Sequence, residues 1–124
     1  MEEVRRSRDA AAAAGADLVE VRLDGVDHPD AGAALAGRTC PLVVTCRPPW
    51  EGGFFDGPEE ARRRLLLDAM TAGAEFVDVE LRAGFVADIL SVRQGRGVIV
   101  SSHHFNVGVV DVAEQLWMLR ATGA

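Results

Sequence analysis

Ionisable side chains cluster at the ends of four apolar runs: DLVEVRLD (residues 17–24), PLVVTCR (41–47), EFVDVEL (75–81) and GVIVSSHH (97–104). The groups are carboxylates (Glu20, Asp78, Glu80), guanidiniums (Arg22, Arg47) and two imidazoles (His103, His104). A carboxylate set between guanidiniums accepts from hydroxyls, and the forked donors of arginine hold oxygens in fixed geometry. A strand buried on both faces normally reads as an unbroken run of Val, Ile and Leu. Polar groups at every second position near the C-terminal ends instead point to a site built where the strands run out.

Strand side chains alternate between two faces. Glu20, Arg22 and Asp24 share a face opposite Val19, Val21 and Leu23; Thr45 and Arg47 lie opposite Val44 and Cys46; Asp78 and Glu80 lie opposite Val77, Val79 and Leu81. In the last run Ser101 and His103 share one face, while Ser102 and His104 share the other with Val98 and Val100. With the apolar faces packed on helices, the opposite faces collect Glu20, Arg22, Arg47, Asp78, Glu80 and His103. Buried charges persist only when paired or hydrogen-bonded, and both signs are present. Expected pairs are Arg22 with Glu20 and Arg47 with Asp78, with Asp78 and Glu80 as structural partners. Asp24 is read as a turn or cap residue.

Segments of helical period separate the runs. Residues 4–14 are Ala-rich and close on Gly15, and a short helical turn is expected over 29–35. The clearest helix follows Asp56-Gly57, with Pro58 in first position, Glu59 and Glu60 at its positive end and Gly73 just beyond. A helix is expected over 83–92, and Asp111 caps another over 112–121, with Val112, Leu116 and Leu119 on one apolar stripe beside a packed Trp117. Strands alternating with helices give a parallel α/β sheet with right-handed crossovers. Four strands are about half of a closed barrel of roughly 250 residues. The expectation is therefore a single incomplete barrel domain over residues 1–124, whose open strand edges imply a homo-oligomer or a place in a longer chain.

The chain has 124 residues and a net charge of −6, which offers no support for nucleic-acid binding. The one dense basic run, residues 62–64, is read as a solvated helix face. No apolar stretch could span a bilayer, and the acidic N-terminus is no secretory signal. Two cysteines make no disulfide framework, so a reduced, cytoplasmic setting is expected, with Cys46 packed. All thirteen basic residues are arginine; there is no lysine.

Four stretches together resemble the type I 3-dehydroquinate dehydratases: Glu20-Val21-Arg22-Leu23-Asp24, then Thr45-Cys46-Arg47-Pro48-Pro49-Trp50-Glu51-Gly52-Gly53, then Asp78-Val79-Glu80-Leu81, then Val100-Ser101-Ser102-His103-His104-Phe105. The resemblance implies a partial (β/α)8 TIM barrel comprising family strands two to five. It implies syn elimination of water from 3-dehydroquinate, through an imine on a lysine that acts as electron sink. Cofactors and metals are not implied. His103 matches the general acid/base, Glu51 the carboxylate that works with it, and Glu20, Arg22 and Arg47 the substrate-gripping residues. His104 stands where the family usually has Asp or Asn. The imine-forming lysine and later pocket residues would follow residue 124, so this chain alone is expected to be inactive. A non-catalytic fragment or polyhydroxy-acid-binding paralogue is the alternative. A metal-dependent hydrolase using Glu20, Asp78, Glu80, His103 and His104 is a third reading, weakened because adjacent histidines on a strand point to opposite faces.

Overall fold

The computed structural model describes residues 1–105 and 111–124. Helix α1 (Glu2–Ala13) precedes β1 (Val19–Arg22), α2 (Ala31–Leu35), β2 (Leu42–Thr45), a 3₁₀ turn (Pro49–Glu51), α3 (Glu59–Thr71), β3 (Phe76–Glu80), α4 (Val86–Arg93), β4 (Val98–Ser101) and α5 (Val112–Ala121). The strands form one parallel sheet in the order β1-β2-β3-β4. Strand order equal to chain order, with a helix returning the chain each time, is the arrangement of a (β/α) barrel segment. No helix among the described residues is long and apolar enough to cross a membrane.

Local signals in the sequence place most element ends. Asp30 caps α2 by accepting from the Ala33 amide, and Asp111 caps α5 by accepting from Ala113 and Glu114. Gly73 follows α3 with φ +90°, a conformation open to glycine at little cost. Helix α4 starts three residues later than the periodicity suggests, because residues 83–85 form tight turns in which Ala83 donates to Glu80 and Val86 to Ala83.

One face of the sheet carries Val19, Val21, Leu23, Leu42, Val44, Cys46, Val77, Val79 and Val98 into the core. Leu65, Leu66, Ala69 and Met70 of α3, Leu35 of α2 and Ile89 of α4 cover that face. Each aliphatic side chain so buried contributes about 1.5–3 kcal/mol. Cys46 is fully buried there, and burial pushes its thiol up to about 12, so it packs rather than reacts. Val43 is also buried, but on the opposite face and outside this core.

Two expectations fail. Arg62 does not belong to a solvated face: it is 0% exposed and sits on the same stripe of α3 as Leu65, Leu66, Ala69 and Met70. The stripe on α5 is not packed: Val112 is 75% exposed and Trp117 71%, and no residue of α5 is buried. Among the described residues nothing covers that face.

Candidate active site

Register decides which ionisable groups meet. Arg22 lies beside Thr45, Thr45 beside Asp78, and Glu80 beside Ser101. Paired positions in a parallel sheet share a face, so these groups form one polar layer opposite the apolar core. Arg47 and His103 continue it just beyond β2 and β4.

Arg47 is the hub. Its Nη1 donates to Ser101 Oγ (2.7 Å) and lies 3.3 Å from Glu80 Oε1, while Nη2 is 3.0 Å from Asp78 Oδ1. Ser101 Oγ in turn donates to Asp78 Oδ1 at 2.8 Å. The expected Arg47–Asp78 pair is present. Burial pushes the Asp78 carboxyl above the usual range; the Ser101 hydrogen bond and the Arg47 charge oppose that rise. Burial also pushes Glu80 up, against the pull of Arg62 and Arg47. Glu80 is 0% exposed and joins the two arginines, with Oε2 accepting from Arg62 and Oε1 facing Arg47.

Arg62 reaches this layer from α3. It also donates to the Cys46 carbonyl and to both carboxylate oxygens of Glu59, and its guanidinium lies 4.7 Å from the centre of the Phe85 ring. A buried arginine thus anchors the end of β2 to β3.

The 3₁₀ turn after β2 carries Glu51 inward, where it is buried. Its Oε2 accepts from the backbone N–H of His103 (3.0 Å) and lies 2.9 Å from the His103 Nδ1. Arg47 Nη1 also approaches Nδ1, at 3.1 Å, but a guanidinium only donates and a carboxylate accepts. Arg47 Nη1 already donates to Ser101 Oγ, so the shorter contact with the Glu51 carboxylate favours the tautomer with the proton on Nδ1, which leaves Nε2 as the accepting nitrogen. No partner meets Nε2 among the described residues. The Phe105 ring stacks on the imidazole, 6.1 Å between centres and 9° from parallel. Close approach shapes the turn: a Cβ at Gly53 would fall 2.0 Å from the Arg47 carbonyl oxygen, and Gly52 has φ +78° with the Phe105 ring against it.

Glu20 and Arg22 stand at the outer strand. Thr45 Oγ1 donates to Glu20 Oε1 at 2.6 Å, tying Glu20 to the layer. Arg22 does not pair with Glu20 through hydrogen bonds; its fork closes on Asp24, with two bonds of 2.7 Å. Asp24 sits in a turn, as expected, between Leu23 and Val26, and does more than turn the chain. It is a buried carboxylate that also accepts from the Phe54 amide (3.1 Å), and burial, which would raise its carboxyl, is outweighed by these bonds, holding it below the usual range. An open cleft of about 750 Å³ along β1 and α1 is lined by Glu20, Arg22, Asp24 and Phe54, but not by Arg47, Glu51 or His103.

The layer therefore unites Arg47, Glu51 and His103 directly, with Glu20 adjoining and Arg22 turned to Asp24. His104 lies outside it, bonded at Nε2 to Ser102 Oγ (3.0 Å). No group of three or more His, Cys, Asp and Glu among the described residues could hold a metal ion. Two participants were not anticipated from the sequence. Arg62 could have been found from its place three, four and seven residues before Leu65, Leu66 and Ala69 on the buried stripe. Arg82, whose Nε lies 3.4 Å from Glu51 Oε1, gave no signal.

A histidine whose Nδ1 is held by a buried carboxylate, at the carboxyl ends of parallel strands, is an acid–base arrangement on a barrel-type α/β scaffold. The profile of the type I 3-dehydroquinase family matches residues 1–121, and the chain belongs to that family. A 3-dehydroquinate dehydratase of Desulfotalea psychrophila is 42% identical over 96 residues, covering 73% of this chain and 42% of the relative. A bifunctional 3-dehydroquinate dehydratase/shikimate dehydrogenase of Arabidopsis thaliana, chloroplastic, is 38% identical over 119 residues, 89% of this chain and 20% of the relative. A 3-dehydroquinate dehydratase of Methanocella arvoryzae is 43% identical over 101 residues, 77% and 46% respectively. The chain spans less than half the length of these relatives.

Proposed function

We propose that this chain carries the proton-transfer half of a type I 3-dehydroquinate dehydratase. The supporting observation is the Glu51–His103 pair, with Nδ1 held and Nε2 free. In this reading a substrate ketone is held as an imine, which acidifies the neighbouring C–H. His103 Nε2 takes that proton, and the electron pair moves into the imine as an enamine. The same nitrogen then gives a proton to the departing hydroxyl, so water leaves as the carbon–carbon double bond forms. Glu51 fixes the tautomer and offsets the imidazolium charge that appears between the two transfers.

Glu20, Arg22 and Arg47 are the proposed grips on the polyhydroxylated, carboxylated substrate. Arg22, with a side chain 43% exposed, is accessible to it. Arg47 is nearly buried and already faces Ser101, Glu80 and Asp78, so its contribution is largely the positive field it supplies.

The sequence holds no lysine, the side chain that this reading needs for the imine. Residues 1–124 thus read as part of one barrel domain, working with a longer chain or a second copy in a reducing, cytoplasmic setting. A binding-only role for the fragment is the second reading, favoured by that same lack of a lysine.

The test mixes the purified chain with 3-dehydroquinate and follows 3-dehydroshikimate by its absorbance. No turnover and no borohydride-trapped adduct are expected. Adding the part of the Desulfotalea psychrophila relative that lies beyond its match to this chain should restore turnover. Replacing His103 by Ala in the complemented pair should then lower the rate by about 10²–10⁴-fold. Turnover by the chain alone, or complemented turnover that survives His103→Ala, overturns the proposal.

A further inference from the structure

Arg82 follows β3 and has no part in the proton transfers described above. Its side chain is 54% exposed and lies back across the 3₁₀ turn that carries Glu51. Arg82 Nε is 3.4 Å from Glu51 Oε1, Nη2 is 3.5 Å from the Trp50 carbonyl oxygen, and the guanidinium sits 5.2 Å from the centre of the Trp50 ring. The two oxygens of Glu51 are thereby divided. Oε2 serves the backbone and ring of His103, and Oε1 has Arg82 as its partner among the described residues.

We propose that Arg82 is a positioning residue for the Glu51–His103 pair, acting through Glu51 on the basicity of the imidazole; the inference rests on the acid–base reading of that pair. A carboxylate shared between two donors cannot give its full charge to either. Arg47 Nη1, 3.1 Å from Nδ1, and the nearby Asp78 also face the ring and are unchanged by substitutions at Arg82; with Arg82 on Oε1, the hold of Glu51 on the Nδ1 proton is weakened. Arg82 also fixes the rotation of the carboxyl group, which keeps Oε2 turned towards His103. The Trp50 face restrains the guanidinium against drifting into solvent. A base that must accept a proton from carbon and then release it to a hydroxyl benefits from such moderation, because excessive basicity would trap it in the charged form.

The experiment follows the His103 ring resonances of the ¹⁵N-labelled chain by NMR as pH is varied, with His28→Gln and His104→Gln variants providing assignment. Arg82→Met removes the charge but keeps an apolar stem on Trp50, and Arg82→Lys keeps the charge. Arg82→Met should move the His103 titration midpoint up by about half a pH unit, a threefold gain in proton affinity, as expected for a partly screened charge at this range. Arg82→Lys should stay near the parent. In a Glu51→Gln background the effect of Arg82→Met should fall to about a third or less, since the route through the carboxylate is gone. A movement smaller than about 0.1 pH unit in Arg82→Met, or an equal movement in the Glu51→Gln background, overturns the inference. If Arg82→Met does not fold, Arg82→Gln replaces it with the same expected midpoint. The titration requires no turnover, so failure of the dehydratase reading and failure of this coupling are seen separately.

Discussion

Replacing Arg62 by Met probes the most deeply buried charge pair in the chain. The methionine fills much of the volume between Phe85 and the end of β2 but withdraws every donor that meets Glu80 Oε2, the Cys46 carbonyl and Glu59. Glu80 is 0% exposed and is left with Arg47 alone, 3.3 Å away. Breaking one side of a buried pair costs about 3–5 kcal/mol, mostly from the stranded charge. Against a typical unfolding free energy of about 5–15 kcal/mol, that is a large share. With a urea m-value near 1.5 kcal/mol/M, the midpoint should fall by about 2–3 M. The pH dependence follows from the direction of the Glu80 shift. Its folded-state carboxyl is raised above the ordinary value of 4.5, so protonation favours the folded state; its contribution is fully present below that value and is lost as pH rises through the folded value. Losing the Arg62 charge raises Glu80 further, so the deficit of Arg62→Met against the parent should be largest at neutral pH and shrink as pH falls. Removing both partners, as Arg62→Met with Glu80→Leu, should cost less than Arg62→Met alone. A single-variant loss below about 1 kcal/mol, or a deficit unchanged with pH, would refute the view that Arg62 neutralises Glu80.

Asp24→Asn gives the opposite pH signature. Asp24 is held below its ordinary 3.8 by Arg22, Phe54 and Arg47, so its contribution is present above that value and disappears as pH falls through the folded one. The variant should be about 1–2 kcal/mol less stable at pH 7, discounted because Arg22 is partly exposed, and the gap should close in acid; a constant gap in urea melts between neutral and acid pH would argue against the assignment. Both outer strands, β1 and β4, leave backbone edges without a neighbouring strand among the described residues. The isolated chain should therefore run as a dimer or larger species in light scattering, and a stable monomer would contradict this.

The parallel order, the two faces of each strand and the Arg47–Asp78 pair were legible because strand period and parallel connection are local matters of pattern. Arg62 was misjudged and Asp24 only partly read for a common reason: their roles depend on what stands opposite them. A run of three arginines reads as solvent-facing, yet helix phase turns only Arg62 towards Glu80. Asp24 has a turn-like composition around it, yet Arg22 and the Phe54 amide convert it into a buried acceptor. The α5 stripe was correctly periodic, but periodicity says only which face is apolar and not what covers it. His103 was distinguished from His104 by strand alternation and by the Ser-Ser-His resemblance together, and the two do lie on different networks.

Glu51 Oε2 takes both the main-chain N–H and the ring nitrogen of one residue. The imidazole consequently swings about a root that is pinned to the same oxygen atom its ring addresses. Gaining or losing a proton at the far nitrogen can alter the ring bond while the amide clasp endures, so the corner where β2 and β4 finish can keep its place.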